Sequence, residues 1–278
     1  MKKNASLRQV SQAEIQPIVN ALNSGQLAVA ESMAKKLLKQ FPNAFVLHNL
    51  YGNALAGQNK TKEAVDAFRK AIKIDPSIAE MHFNVAALLT NMNRHEEAIQ
   101  SYKKAVSIKP GLVDAYYNMG IAHQALKQYP QASQNYQKAI DLEPGFYEAI
   151  VNLGVVLQEQ GMLVEAIDTY KRALAIHSDA QIYFNLGTAY KNQGKLGEAI
   201  TAYNKALELN PNYADVHRSV GEVLRDQGRY EESVAAYKRA LELNPDLPMA
   251  NYSLAVYLYD SGDLQGALEH FQRSQYAD

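Results

Sequence analysis

Pro42, Pro76, Pro110 and Pro144 are spaced 34 residues apart, as are Pro211 and Pro245, and Ser178 stands where one further proline would complete the series. The step from Ser178 to Pro211 is 33, so one residue is missing, most simply between Asp179 and Ala180. A fixed period of this length constrains the fold more than any composition does. The chain repeats one supersecondary unit, and such a unit covers its apolar side only by stacking on its neighbours.

Aligned on that period, the sequence falls into columns. A small residue recurs at Gly52, Ala86, Gly120, Gly154, Gly187, Gly221 and Ala255, and twelve residues on come Ala64, Ala98, Ala132, Ala166, Ala199, Ser233 and Ala267. Four beyond these lie Phe68, Tyr102, Tyr136, Tyr170, Tyr203, Tyr237 and Phe271, and three further Ala71, Ala105, Ala139, Ala173, Ala206, Ala240 and Ser274. Spacings of three, four and seven share one helical face. Gly161, Gly194, Gly228 and Gly262 fall at the turn between two halves, and the proline closes the second half. Each unit is predicted to be a helix hairpin.

These columns resemble the tetratricopeptide repeat, with its small residue in helix A, its A-x3-F and its closing proline. The resemblance implies an all-α, right-handed superhelical solenoid of hairpins. Seven copies follow at 45–78, 79–112, 113–146, 147–179, 180–213, 214–247 and 248–278, the last incomplete. Residues 11–44 read as a degenerate N-terminal capping repeat and 1–10 as a polar tail. Ser11 and Glu14 have the spacing of a capping box, whereas Pro17 either kinks that helix or marks its true start. One departure is the absence of Trp: the early helix A position that often holds it carries His48, His82, Tyr116, Ile150, Tyr183, His217 and Asn251, predicting less uniform packing there.

Composition narrows the partner. The chain is 47% hydrophobic, with 28 basic against 29 acidic residues and a net charge of -1, so no bulk field recruits nucleic acid or anionic lipid. Cysteine is absent, which removes disulfides and thiolate chemistry. The basic start lacks the apolar run of a secretory signal, and no stretch approaches the ~18 apolar residues of a membrane span. A cytoplasmic location follows by default. No phosphate-cradling glycine loop and no nucleophile–base grouping emerges, so the chain is read as no enzyme, with no cofactor and no metal. His48, His82 and His217 share a column, but equivalent positions in different repeats lie ~10 Å or more apart, too far for one ion. The recurring Lys70, Lys104, Lys138, Arg172, Lys205 and Arg239 suit the ends of second helices that open on Glu63, Glu97, Glu165, Glu198 and Glu232.

The partner is expected to be a protein or an extended peptide segment. Asn and Gly both weaken a helix, yet they recur in the A helices: Asn84, Asn118, Asn152 and Asn185 occupy one column, continued by Ser219 and Ser253. In a solenoid the A helices line the concave side, so the column becomes a row along a groove. An Asn amide offers a donor and an acceptor, complementing a peptide unit whatever its sequence. Helices roughly 10 Å apart match about three residues of extended chain at ~3.3 Å each. This row is similar to the asparagine ladder in the tetratricopeptide superhelix of the O-linked N-acetylglucosamine transferases, and that resemblance implies backbone contacts from the four Asn. Phe83, Tyr117 and Phe184, beside them, either fill the gap between neighbouring A helices or supply pockets for peptide side chains. The basic A-helix residues Lys191, Arg218 and Arg225 do not form the two-carboxylate clamp of chaperone adaptors. Residues 25–55 also look similar to bacterial repeat arms preceding catalytic domains. With the incomplete last repeat, this makes the alternative a substrate-recruiting arm of a larger glycosyltransferase-, sulfotransferase- or oxygenase-type enzyme. Leu258 and Leu268 would face outward from an uncapped end, predicting self-association there.

Overall fold

A computed structural model describes residues 9–275. The tail expected over 1–10 lies largely outside the described residues, as do the last three positions of 248–278. Among the described residues every regular element is an α-helix, and none is long and apolar enough to cross a membrane. The chain divides into two compact units, 1–144 and 145–278.

In the first unit the order is α1 (Gln12–Asn23), α2 (Leu27–Leu38), α3 (Phe45–Gly57), α4 (Thr61–Ile74), α5 (Ala79–Asn91), α6 (His95–Ile108), α7 (Val113–Ala125) and α8 (Tyr129–Leu142). Each helix packs on the next, and α1 meets α3 as α5 meets α7. The second unit repeats the plan with α9 (Tyr147–Glu159), α10 (Leu163–Ile176), α11 (Ala180–Asn192), α12 (Leu196–Leu209), α13 (Ala214–Asp226), α14 (Tyr230–Leu243), α15 (Pro248–Asp260) and α16 (Leu264–Gln275). There α9 meets α11, and α11 meets α13.

In the hairpins with Gly52, Gly120, Gly154, Gly187 and Gly221 the second-helix aromatic packs directly against that glycine of the first helix. A Cβ added to Gly120 would stand 2.6 Å from the Tyr136 ring, one on Gly154 2.6 Å from Tyr170, and one on Gly187 2.5 Å from Tyr203. The glycines therefore set the approach of the two axes, and their cost to the helix is offset by burial of a whole ring, Tyr136 and Tyr203 being fully buried.

The turns follow from backbone chemistry. The residue between the helices takes positive φ: Asn59, Asn93 and Lys127 at 59°, 56° and 55°, and Gly161, Gly194, Gly228 and Gly262 at 74°, 75°, 75° and 87°. At the shortened linker after α10, Asp179 Oδ1 accepts from the amides of Gln181 at 2.7 Å and Ile182 at 3.2 Å, a side-chain cap that begins α11 without the missing residue. Helix α1 starts at the Ser11–Glu14 capping box, where Glu14 Oε2 accepts from the Ser11 amide at 2.9 Å, and runs on through Pro17, anchored by buried Ile18 and Ala21.

The polar column in place of Trp has a definite task. His48, His82 and His217 Nε2 stand 2.8, 3.1 and 3.0 Å from the carbonyls of Pro42, Pro76 and Pro211, and Asn251 Nδ2 donates to that of Pro245 at 2.8 Å. Each ties helix A to the proline six residues before it.

Candidate functional site

The A-helix row is described within each unit separately. In the first, Asn84 on α5 and Asn118 on α7 are half-buried, and neither side chain makes a hydrogen bond among the described residues. In the second, Asn152 on α9 and Asn185 on α11 are also half-buried; Asn185 Oδ1 accepts from Gln181 Nε2 at 3.0 Å, one turn earlier on the same helix. Helix geometry explains the depth. The next residue in each copy (Val85, Met119, Leu153, Leu186) is buried, so the Asn sits at the margin of the buried stripe.

Ser219 and Ser253 occupy the same column but lie 2% and 9% exposed. Their short side chains stop below the surface; the Tyr203 hydroxyl lies within hydrogen-bonding reach of both Ser219 and Thr188. Both are buried, unlike the half-buried Asn of the same column.

The rings before the asparagines rest on the second-helix aromatics. Centroids are 5.7 Å apart for Phe83–Tyr102, 5.9 Å for Tyr117–Tyr136 and 5.9 Å for Phe184–Tyr203. Phe184 also lies 5.4 Å from Tyr213, which caps the start of α13, so this ring fills the gap between neighbouring hairpins. All three are half-buried, leaving part of each ring beside its Asn.

Charge on this face is largely neutralised internally. Lys191 on α11 pairs with Glu222 on α13 at 2.6 Å, and Arg218 bonds the same carboxylate and reaches Asp215 at 3.7 Å.

The period also orders the buried tyrosine hydroxyls, a relation that was not read from the sequence. Tyr136 donates to Gln124 Oε1 at 2.7 Å and Tyr170 to Gln158 Oε1 at 3.3 Å. The Tyr102 hydroxyl is bonded to Thr90, and burial pushes its pKa up to about 12. Thr90, Gln124 and Gln158 are one column, visible on the same ruler and continued by Lys191 and Arg225. Tyr203 instead has Thr188 at 3.2 Å, because Lys191 is engaged by Glu222. The Tyr237 hydroxyl has no hydrogen-bond partner among the described residues.

Sequence models of the tetratricopeptide repeat match residues 19–78, 184–248 and 221–278, and related models match 147–212, 88–127 and 113–146. No curated protein matches. Among solved structures, YrrB, described as a TPR protein with an unusual peptide-binding site, is 26% identical at a TM-score of 0.60, covering 67% of this chain and 96% of its own. MamA is 26% identical at 0.58, covering 62% and 94%. The C-terminal part of a TPR repeat-containing protein from Cytophaga hutchinsonii, 18% identical with a TM-score of 0.69 over 82% and 94%, shares the fold.

Proposed function

The chain belongs to the tetratricopeptide repeat family, and on that premise we propose that it is a protein-interaction scaffold, without catalysis of its own, whose A-helix faces bind an extended protein segment. Asn84 and Asn118 in the first unit hold the backbone of a bound segment, and Asn152 and Asn185 in the second offer the same contacts on their own helices. The observation that carries this reading is the in-register, half-buried carboxamides, two of which, Asn84 and Asn118, have no hydrogen-bond partner among the described residues. A half-buried amide without a partner gains little for stability and is available to a ligand. The peptide-binding character of YrrB, a structural relative, supports the same class of partner. Phe83, Tyr117 and Phe184 offer the segment an apolar edge beside Asn84, Asn118 and Asn185.

The test is an NMR titration of the 15N-labelled chain with a 12-residue peptide selected from a displayed random library. The side-chain NH2 signals of the four Asn should shift on binding, while that of Asn251, buried and bonded to Pro245 and His270, should stay in place. Shifts confined to second-helix residues would refute the reading.

The last hairpin also exposes Tyr259 (60%), Leu264 (63%) and Leu268 (52%), which favours self-association through this face. Sedimentation should show a concentration-dependent dimer that Leu264→Lys with Leu268→Glu abolishes. A wild-type monomer at high concentration would contradict it.

A further inference from the structure

The first unit carries a concentration of positive charge that the near-zero net charge conceals. Residues 35–74 hold eight basic side chains against two acidic, whereas the rest of the chain holds 20 basic against 27 acidic. Within that stretch α2, α3, α4 and the loop around Pro42 border a cavity of about 740 Å³, in the size range of ligand-binding clefts. Lys35 on α2 and Lys39 just beyond it line the cavity, as do Lys70 and Lys73 on α4. All four are exposed, and none of their ammonium groups makes an ion pair or hydrogen bond among the described residues. Helix dipoles favour lysine near the ends of α2 and α4, and here the stacking brings the two sets to one cavity. The next gap between second helices is bridged: Arg69 on α4 reaches Glu97 on α6 at 3.5 Å. One period earlier the same two places hold Lys35 and Glu63, which line the cavity without pairing across it.

We propose that this cavity binds an acidic segment of a partner protein, one that sets carboxylates on either side of an apolar side chain. Each lysine offers a compact point charge with three donors, suited to one carboxylate. Leu38, Tyr51 and Ile74 give the wall an apolar part for the side chain between them. Glu63 and Asp66, on the same wall, discriminate among polyanions. A DNA phosphate backbone has no donor to offer these two carboxylates, whereas a peptide carries an N–H at every residue other than proline. The site does not rest on the asparagine row: its lysines stand on and beside α2 and α4, whereas Asn84 and Asn118 stand on α5 and α7.

The probe is a fluorescein-labelled nine-residue peptide repeating Glu-Glu-Leu, titrated into the full chain by anisotropy beside a control with Gln for every Glu. The Glu peptide should bind about tenfold more tightly, and the difference should shrink as salt is raised. Lys70→Gln with Lys73→Gln, and separately Lys35→Gln with Lys39→Gln, should each weaken it about fivefold. Lys103→Gln with Lys104→Gln removes the same charge from exposed positions of α6, outside the cavity, and should change affinity by twofold or less, as should Asn84→Ala with Asn118→Ala. All six lysines are exposed, so the variants keep the fold, which a thermal melt checks. In 15N spectra the side-chain NH2 of Asn43, on the cavity wall, should shift with the Glu peptide. Equal affinity for the Glu and Gln peptides, or an equal loss from the α6 pair, would overturn the site and leave only diffuse attraction. A 12-nucleotide thymidine oligomer that binds more tightly than the Glu peptide and is lost with the same cavity lysines would overturn it in favour of nucleic acid.

Discussion

The hairpins carrying Asn84, Asn118, Asn152 and Asn185 and the two carrying Ser219 and Ser253 share one ring-on-small-residue contact, yet they use the same column differently. An added Cβ would meet Tyr136 at 2.6 Å from Gly120 and Tyr237 at 2.8 Å from Gly221, so the packing is common to both groups. Asn is half-buried in all four of its copies, whereas Ser is 2% and 9% exposed. Side-chain length at one register decides whether a repeat offers a polar group outward or absorbs it between helices. Beside the column one Ser hairpin carries Arg218, bonded to Glu222, where other copies have a ring, and the other keeps a ring, the half-exposed Tyr252, 5.8 Å from Phe271.

The largest test concerns what the two groups share. Tyr136→Ala and Tyr203→Ala should each cost about 3–5 kcal/mol, because a fully buried ring leaves a cavity against a helix that has no side chain to fill it. Hydrogen exchange should show protection lost first in the mutated hairpin and its neighbours, since repeats couple locally. Uniform loss along the chain would break the picture of local units.

The next test converts one group into the other. Ser219→Asn puts a carboxamide where Ser fits beside Tyr203, and denaturant unfolding should report a loss of about 1–3 kcal/mol from overpacking. Asn185→Ser, on the half-buried side, should change stability far less. Equal costs would show that the two depths do not differ in practice.

A smaller contrast separates the hydroxyls. Tyr136→Phe removes the 2.7 Å bond to Gln124 and should cost about 1 kcal/mol, whereas Tyr237→Phe deletes a hydroxyl without a partner and should be neutral or stabilising in the same melt. Smaller still is the turn column, where Lys127 holds φ at 55° and Gly228 at 75°. Lys127→Gly should raise stability by about 0.5 kcal/mol, relief of side-chain strain partly offset by chain entropy, and Gly228→Ala should lower it.

Much of this was legible in the residues. The proline period and the small and aromatic columns point to helix hairpins, and the all-helical fold follows; the glycine at Gly187 is readable as a close approach of two axes, which the 2.5 Å between an added Cβ there and the Tyr203 ring bears out. Periodicity identifies a face but not a depth, so nothing in the sequence separates buried Ser219 from half-buried Asn185. The latch from His82 to the Pro76 carbonyl needs the path of the loop, which no spacing rule supplies. Orphaning of Tyr237 depends on two ion pairs, Arg225–Asp226 and Lys191–Glu222, and a sequence shows which charges are near but not which of them pair. The contact of Phe184 with Tyr213 is likewise tertiary and decides one role of that ring that the column left open.

The central claim is that the asparagine row serves binding and not folding. The most direct measurement is a thermal melt beside a titration, with a library-selected 12-residue peptide, of the variant carrying Asn84→Ala, Asn118→Ala, Asn152→Ala and Asn185→Ala together. Four rungs at ~0.5–1.5 kcal/mol each are opposed by the ordering of a flexible segment, so the expected loss of affinity is tenfold or more, with the melting temperature unchanged or slightly raised because Ala is the better helix former. A variant that melts early and still binds in proportion to its folded fraction would contradict the claim.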